Sequence, residues 1–418
     1  MQNRPSLHIP TLLYLLMSAI GLVISLTSAG IMFLSGIVAK ITGESNDVVF
    51  TNFALGWTLA LVMLLLIPGM YLSLNRLLHK PVAWFGFAGK KWLWFAAGTW
   101  LVMFILGVFI SDKDAVNWLI IPPITTLLIA LPLWIWLRLG SKGINPNKHQ
   151  APWSVLGASL MVTPALVTLL EIAVLFLLGL MVLVFFAISP ERLQQLEALI
   201  QQLSHSNMDP VLLLRVIQPV LQEPWVIFGI FSLTSVIIPM VEELFKPLWV
   251  WVFVKDITPT RGFFYGMICG AAFALLESLG YLASPLGGDW PVLLVGRVGT
   301  GILHTGTSGL VGWGLASAWS SRKYIRLAGS YFLAVFIHGL WNAFGLLMGL
   351  AEYIEPVNQL NVILSQLGSI APAALFVLSA CLIGIILYAR KVNPPELAAL
   401  PEGENIDEIV ITQQTENE

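Results

Sequence analysis

The chain has 418 residues, of which 57% are hydrophobic and 11% charged, with a mean hydropathy of +0.84. Soluble domains carry about a quarter charged residues, so this composition excludes an ordinary soluble protein and points to an all-α, polytopic helical membrane protein. The formal net charge of -2 gives no argument for a nucleic-acid partner.

A helix needs ~20 apolar residues to cross the hydrocarbon core. Ten stretches qualify, near 11–39, 53–75, 92–110, 118–138, 154–188, 225–254, 262–283, 291–317, 328–350 and 368–389. The first follows a single basic residue, Arg4, and exceeds the ~7–15 apolar residues of a signal-peptide core, so it reads as an uncleaved span. Two stretches, 154–188 and 225–254, are long enough to include an interfacial turn or a break. With the N-terminus inside, the inner segments hold fifteen Lys and Arg and the outer segments four, Lys40, Lys113, Arg192 and Arg215. This is the asymmetry of the positive-inside rule, and it places both termini in the cytoplasm. Cys269 and Cys381 fall inside spans and carry no information on compartment.

Along the chain, a polar loop from Gly140 to Gln150 separates the first four spans, an accessory module over 1–150, from a second unit over 151–390. An outer connector, 190–223, shows helix-period apolar positions at Leu193, Leu196, Leu199, Ile200 and Leu203. A second set follows at Leu212, Leu213, Val216, Ile217, Val220 and Leu221, after an interruption at Asn207 to Pro210. Two short amphipathic helices are expected there. The acidic tail, 391–418, reads as solvated and disordered.

The second unit concentrates ionisable and amide residues inside apolar stretches. A charge at the bilayer centre costs at least ~2.5–3.5 kcal/mol on insertion scales, so such residues face one another, water or a substrate. In Val241-Glu242-Glu243-Leu244-Phe245-Lys246, the lysine can approach either carboxylate from one turn away. Two adjacent carboxylates point about 100° apart on a helix, which suits one to an ion pair and the other to general-base work. Glu277 and Tyr281 lie one turn apart. Arg297 and His304 lie two turns apart on one face, among Gly299, Gly301, Gly306 and Gly309, whose small size permits close helix packing. His338 and Asn342 repeat the one-turn spacing. On the topology above, four consecutive spans present these groups to one pocket near mid-membrane. Glu171, in the fifth span, stands alone and has no assigned partner.

The order EExxK, ExxxY, a His in a Gly-rich helix and HxxxN resembles the PrsW family of intramembrane proteases, relatives of the CAAX-processing and bacteriocin-immunity membrane peptidases, over about 225–350. Asn342 stands where many PrsW members have Asp. The resemblance implies hydrolysis of a peptide bond in a membrane-anchored protein, in the inner membrane of a bacterium. The cleavage would belong to regulated proteolysis of substrates such as anti-sigma factors. It implies a water activated by Glu243, or by Glu242 as the second choice, with His304 holding that water or a metal. His338 and Asn342 would stabilise the oxyanion, Lys246 would orient the carboxylates, and Glu277 with Tyr281 would position His304, supported by Arg297. A divalent metal such as Zn2+ would draw on Glu243, Glu277, His304 and His338; a glutamate-activated mechanism without metal uses the same residues. A proton-coupled transporter and a non-catalytic regulator that keeps the pocket for a partner are the competing classes.

Overall fold

The computed structural model describes residues 9–80, 90–113, 115–141, 150–205, 224–253, 257–283, 290–350 and 359–392, and every regular element among them is a helix. They are α1 (Ile9–Ile41), α2 (Asn46–Leu77), α3 (Lys90–Ser111), α4 (Asn117–Gly140), α5 (Gln150–Ala187) and α6 (Pro190–His205). There follow α7 (Pro224–Ser232), a π-helical turn (Leu233–Ile237), α8 (Ile238–Phe245), α9 (Leu248–Phe253), α10 (Pro259–Tyr281), α11 (Trp290–Ser321), α12 (Tyr324–Leu350) and α13 (Gln359–Val392). The first of the two expected amphipathic helices is α6. The second expected helix, the acidic tail beyond Val392 and most of the polar loop after Gly140 lie outside the described residues.

Nine helices among the described residues are long and apolar enough to cross a membrane, with α7 to α9 acting as one span over Pro224–Val252. The tenth expected span is α11, which is 32 residues long but not among those nine. Its seven glycines and its run of Ser and Thr lower its apolarity, and it is enclosed by α4, α10, α12 and α13 rather than by lipid. Of the two long stretches, α5 runs unbroken through Pro164, whereas Pro224–Val252 breaks at the π turn and again at Lys246–Pro247.

The central packing is the antiparallel pair α10 and α11. Gly262, Gly266 and Gly270 recur every fourth residue, and a Cβ at each would collide with backbone of Gly312, Ser308 and His304 respectively. Small residues at this spacing let two backbones touch, the usual way for helices to associate where lipid removes the hydrophobic drive. The same register, continued toward the end of α10, sets Glu277 opposite Arg297.

Prolines inside the spans leave carbonyls that other helices must satisfy, because lipid offers no water. In α4, Pro132 has no N–H for the Leu128 carbonyl, and the Trp100 indole of α3 donates to that oxygen at 2.9 Å. In the broken span, Pro239 likewise deprives the preceding turn of a donor, and the turn relaxes into π geometry, in which Ile238 N–H reaches Leu233 O. A continuous apolar core joins α2, α4, α5, α10 and α11 through Phe50, Leu128, Leu133, Val155, Met267 and Leu315. Helices α2 to α4 therefore share their core with the helices that carry the polar clusters.

Candidate active site

Four helices deliver the cluster. The short α8 places Glu242 and Glu243 where the chain is about to turn at Lys246 and Pro247. His304 lies in α11 and His338 in α12, and all five of Glu242, Glu243, Lys246, His304 and His338 are buried.

Glu243 is held by one of its oxygens. Its Oε1 accepts from Lys246 Nζ at 3.0 Å, from Thr307 Oγ1 at 3.0 Å and from His338 Nδ1 at 2.8 Å. These donors come from its own helical stretch, from α11 and from α12, so the carboxylate is fixed from three directions. The other oxygen, Oε2, is buried and has no hydrogen-bond partner among the described residues. A buried acceptor of that kind is costly unless something else uses it.

Lys246 Nζ is the hub of the cluster. It lies 2.6 Å from Glu242 Oε2 and 2.6 Å from His304 Nδ1, and the Phe273 ring faces it at 4.8 Å. As an ammonium donates only, His304 Nδ1 accepts, and the ring proton belongs on Nε2. That nitrogen meets Glu277 Oε2 at 2.8 Å. Glu277 is in turn paired with Arg297 Nη2 at 2.7 Å, and Arg297 Nε donates to Ser278 Oγ at 3.2 Å. The two imidazoles meet edge to face at 5.0 Å between centroids.

Two expected members are placed differently. Tyr281 is 57% exposed and its ring lies 5.3 Å from the Arg297 guanidinium, so it packs beside Arg297, which pairs with the Glu277 that meets His304. Asn342 donates through Nδ2 to the Thr234 carbonyl at 2.8 Å, one of the acceptors that Pro239 leaves without a donor. Beside it, Gly339 has no room for a Cβ against the Ser235 carbonyl, and Tyr331 OH donates to Met240 O at 2.9 Å. One face of α12 thus clamps the broken span.

Four residues outside the expected set belong to the site. Thr307 and Phe273 lie one turn from His304 and from Glu277, but a lone Thr or Phe in an apolar helix carries no sequence signal. Thr234 contributes only its carbonyl. Glu171 of α5 did carry a signal, as the one charged residue in a 38-residue apolar helix; α5 packs against α8, which carries Glu242.

The donor set also fits a metal. Glu242, His304 and His338 each offer one ligand atom, all within 4.8 Å of one another. His338 Nδ1 and His304 Nε2 face Glu243 and Glu277, which leaves His338 Nε2 and His304 Nδ1 as ligand atoms, each imidazole backed by a carboxylate as metal-bound histidines usually are. Two His and one carboxylate form a catalytic zinc set with a position left for water. Glu243 and Glu277, expected among the ligands together with the two histidines, have oxygens that face His338 Nδ1 and His304 Nε2 in this structure. Binding at these atoms requires Lys246 to leave His304 Nδ1.

The described part of the chain is thus an all-helical membrane protein with a buried cluster of Glu, His and Lys. Residues 168–366 match the model of the PrsW family intramembrane metalloproteases. The match spans α5 from before Glu171 to the start of α13, so it includes every residue of the cluster, and it bears out the resemblance drawn from the four motifs. No curated protein and no solved structure matches the chain.

Proposed function

We propose that this protein is an intramembrane endopeptidase that hydrolyses a peptide bond in a single-pass, membrane-anchored protein, with Glu243 as general base. The observation that carries this reading is the asymmetry of Glu243: Oε1 is fixed by three donors while Oε2 is buried and unpartnered. A base must be held still and yet keep a lone pair for the water it deprotonates. Glu242, His304 and His338 would hold a divalent cation such as Zn2+, which when bound polarises a carbonyl and makes water a better nucleophile.

The remaining roles follow from the side chains. Glu243 Oε2 takes a proton from the attacking water and returns it to the leaving amine. Without a cation, His338 protonated on both nitrogens and the second N–H of Asn342 would stabilise the developing oxyanion, a role that the cation would take over where His338 is its ligand; donors aimed at that charge are worth about 10²–10³ in rate each. Lys246 balances the two carboxylates, and Glu277 with Arg297 holds the His304 ring. The protein sits in the inner membrane of a bacterium with both termini in the cytoplasm, and the substrate reaches the site from within the bilayer.

Co-expression of wild type, Glu243→Ala and His338→Ala with the cell's single-pass membrane proteins tests this. Quantitative membrane proteomics should find a protein that is shortened by the wild type and intact with either variant at equal variant abundance. Identical cleavage in all three would remove the site from proteolysis and bring a transporter or a binding role forward. Chelation of purified protein with 1,10-phenanthroline should abolish the same cleavage, and added Zn2+ should restore it; activity that survives chelation assigns the reaction to Glu243 without metal.

A further inference from the structure

Ile268, Ala271 and Leu275 of α10 floor a cavity of about 250 Å³ where α2, α4, α5 and α10 meet. Leu65 of α2 and Leu127 of α4 line its walls, and Leu127 is 43% exposed, so the cavity opens toward lipid. No lining side chain is charged or carries a hydroxyl or an amide. Water gains no partners in such a space, whereas the bilayer supplies hydrocarbon. One turn of an α-helix with its side chains, ~10–12 Å across and ~5.4 Å long, needs more room than this; a single flexible chain does not. Helices α2 and α4 each carry an arginine in their last turn, Arg76 and Arg138. Arg76 follows Leu65 by eleven residues, and Arg138 follows Leu127 by eleven. Eleven residues are close to three full turns, so each arginine lies on the same side of its helix as the leucine and ~16 Å further along. With α3 crossing between them, α2 and α4 run in one direction and bring both arginines to one membrane face, cytoplasmic in the orientation proposed above. The ~16 Å is about half of the ~30 Å hydrocarbon core, the depth of one leaflet. Trp134, one turn before Arg138, and Trp153, near the start of α5, line the same end of the cavity, and such amphipathic rings collect at the level of the headgroups.

We propose that this cavity binds one acyl chain of an anionic phospholipid, whose headgroup meets Arg76 and Arg138. An apolar slot one leaflet deep that ends between two positive charges matches such a lipid at both ends, whereas a zwitterionic lipid matches only the slot. Each basic side chain beside an anionic lipid is worth about fivefold in binding, so the pair gives a preference of about 25-fold for an anionic headgroup. Leu275 lies two residues before Glu277, so the bound chain backs the turn of α10 that sets Glu277 against His304 and Arg297. The lipid site does not depend on the protease reading.

The test uses the full chain, purified and stripped of lipid in detergent, with dioleoylphosphatidylglycerol and dioleoylphosphatidylcholine as probes. Native mass spectrometry reads the bound lipid, and thermal unfolding reads its effect. The wild type should retain a single phosphatidylglycerol about 25-fold more tightly than phosphatidylcholine, and its Tm should rise with the former. Ala130→Phe, which fills the cavity from α4, should lose both the bound lipid and the rise in Tm. The double variant Arg76→Gln with Arg138→Gln should keep the slot and bind the two lipids equally. If Ala130→Phe does not stay folded, the loss of headgroup preference in the double variant carries the result. A wild type that binds both lipids alike or retains neither overturns the proposal. So does an Ala130→Phe variant that binds as the wild type does, or a preference for phosphatidylglycerol that survives loss of both arginines. Lipid binding is read without substrate or metal, so cleavage in the assay above neither supports nor removes it.

Discussion

Glu242 and Glu243 are adjacent in the chain, and the ~100° between successive residues of a helix sends them to different neighbours. Glu243 turns to α11 and α12, and Glu242 turns to Lys246 and α5. Thr307 shows what the difference is worth. Its hydroxyl donates to Glu243 Oε1 and is itself buried, and hydrogen bonds to charged groups contribute about 1.5–3 kcal/mol. Thr307→Val keeps the shape and removes that donor, so kcat should fall roughly 10–100-fold with KM little changed, whereas Thr307→Ser should retain most activity. Single-turnover cleavage of a fluorogenic membrane peptide would measure it, and a Val variant at wild-type rate would show that Lys246 and His338 suffice. Glu242, Glu243, Lys246, Glu277, Arg297, His304 and His338 were legible in the sequence because charge and imidazole are rare and costly in lipid. Thr307 and Phe273 were not, because their residue types are ordinary in spans and only their neighbours give them a role.

The same logic holds at the scale of elements. Pro239 sits in the only span with a π turn among the described residues, and Asn342, Gly339 and Tyr331 of α12 all address the backbone around it. A regular α-helix from Pro224 onward would carry one residue fewer in the turn before Glu242 and would rotate both carboxylates by about 100°. Replacing Pro239 with Ala restores the missing N–H and removes a residue that disfavours helix interiors by about 3 kcal/mol. Pro239→Ala should therefore leave stability equal or raised and lower cleavage at least tenfold, since Glu243 no longer meets His338. Thermal unfolding in detergent alongside the cleavage assay checks both halves, and full activity in this variant would mean that the π turn does not aim the site. The length of 225–254, like that of 154–188, already allowed for an interfacial turn or a break. Its position did not follow from length, because it depends on where α12 offers Asn342 to the freed carbonyl. The α10 and α11 pairing was half legible: the glycines around His304 signalled close packing, and the matching Gly262, Gly266 and Gly270 fix the register that brings Glu277 to Arg297.

For the whole molecule, the division at residue 150 follows a polar loop in the sequence, but the packing runs across it. Trp290, at the start of α11, fills the space that Gly107 of α3 leaves open, and its indole donates to Thr125 Oγ1 of α4 at 3.0 Å. Leu133 packs over Gly301, and Gly140 over Met267. Sequence alone could not show this, because α3 and α4 have no charged residue between Trp92 and Ile110 or between Trp118 and Leu137 and their partners lie more than a hundred residues away. Helices α2 to α4 thus form one wall of the helix pair that holds His304 and Glu277. Lipid chains are as apolar as leucine, so removal of this wall costs little hydrophobic energy; what it costs is close packing and the partner of a buried indole N–H. Deletion of residues 1–149 should consequently give a protein that still inserts but unfolds at lower temperature, binds Zn2+ more weakly and cleaves nothing. Size-exclusion chromatography in detergent, metal titration and the cleavage assay would each report on it. Co-expression of 1–149 as a separate chain should recover part of all three properties, because the contacts between the two pieces are made between helices and not through the loop. A truncated protein with wild-type activity would make α1 to α4 an appendage, and the shared core a consequence of packing without a role in the site.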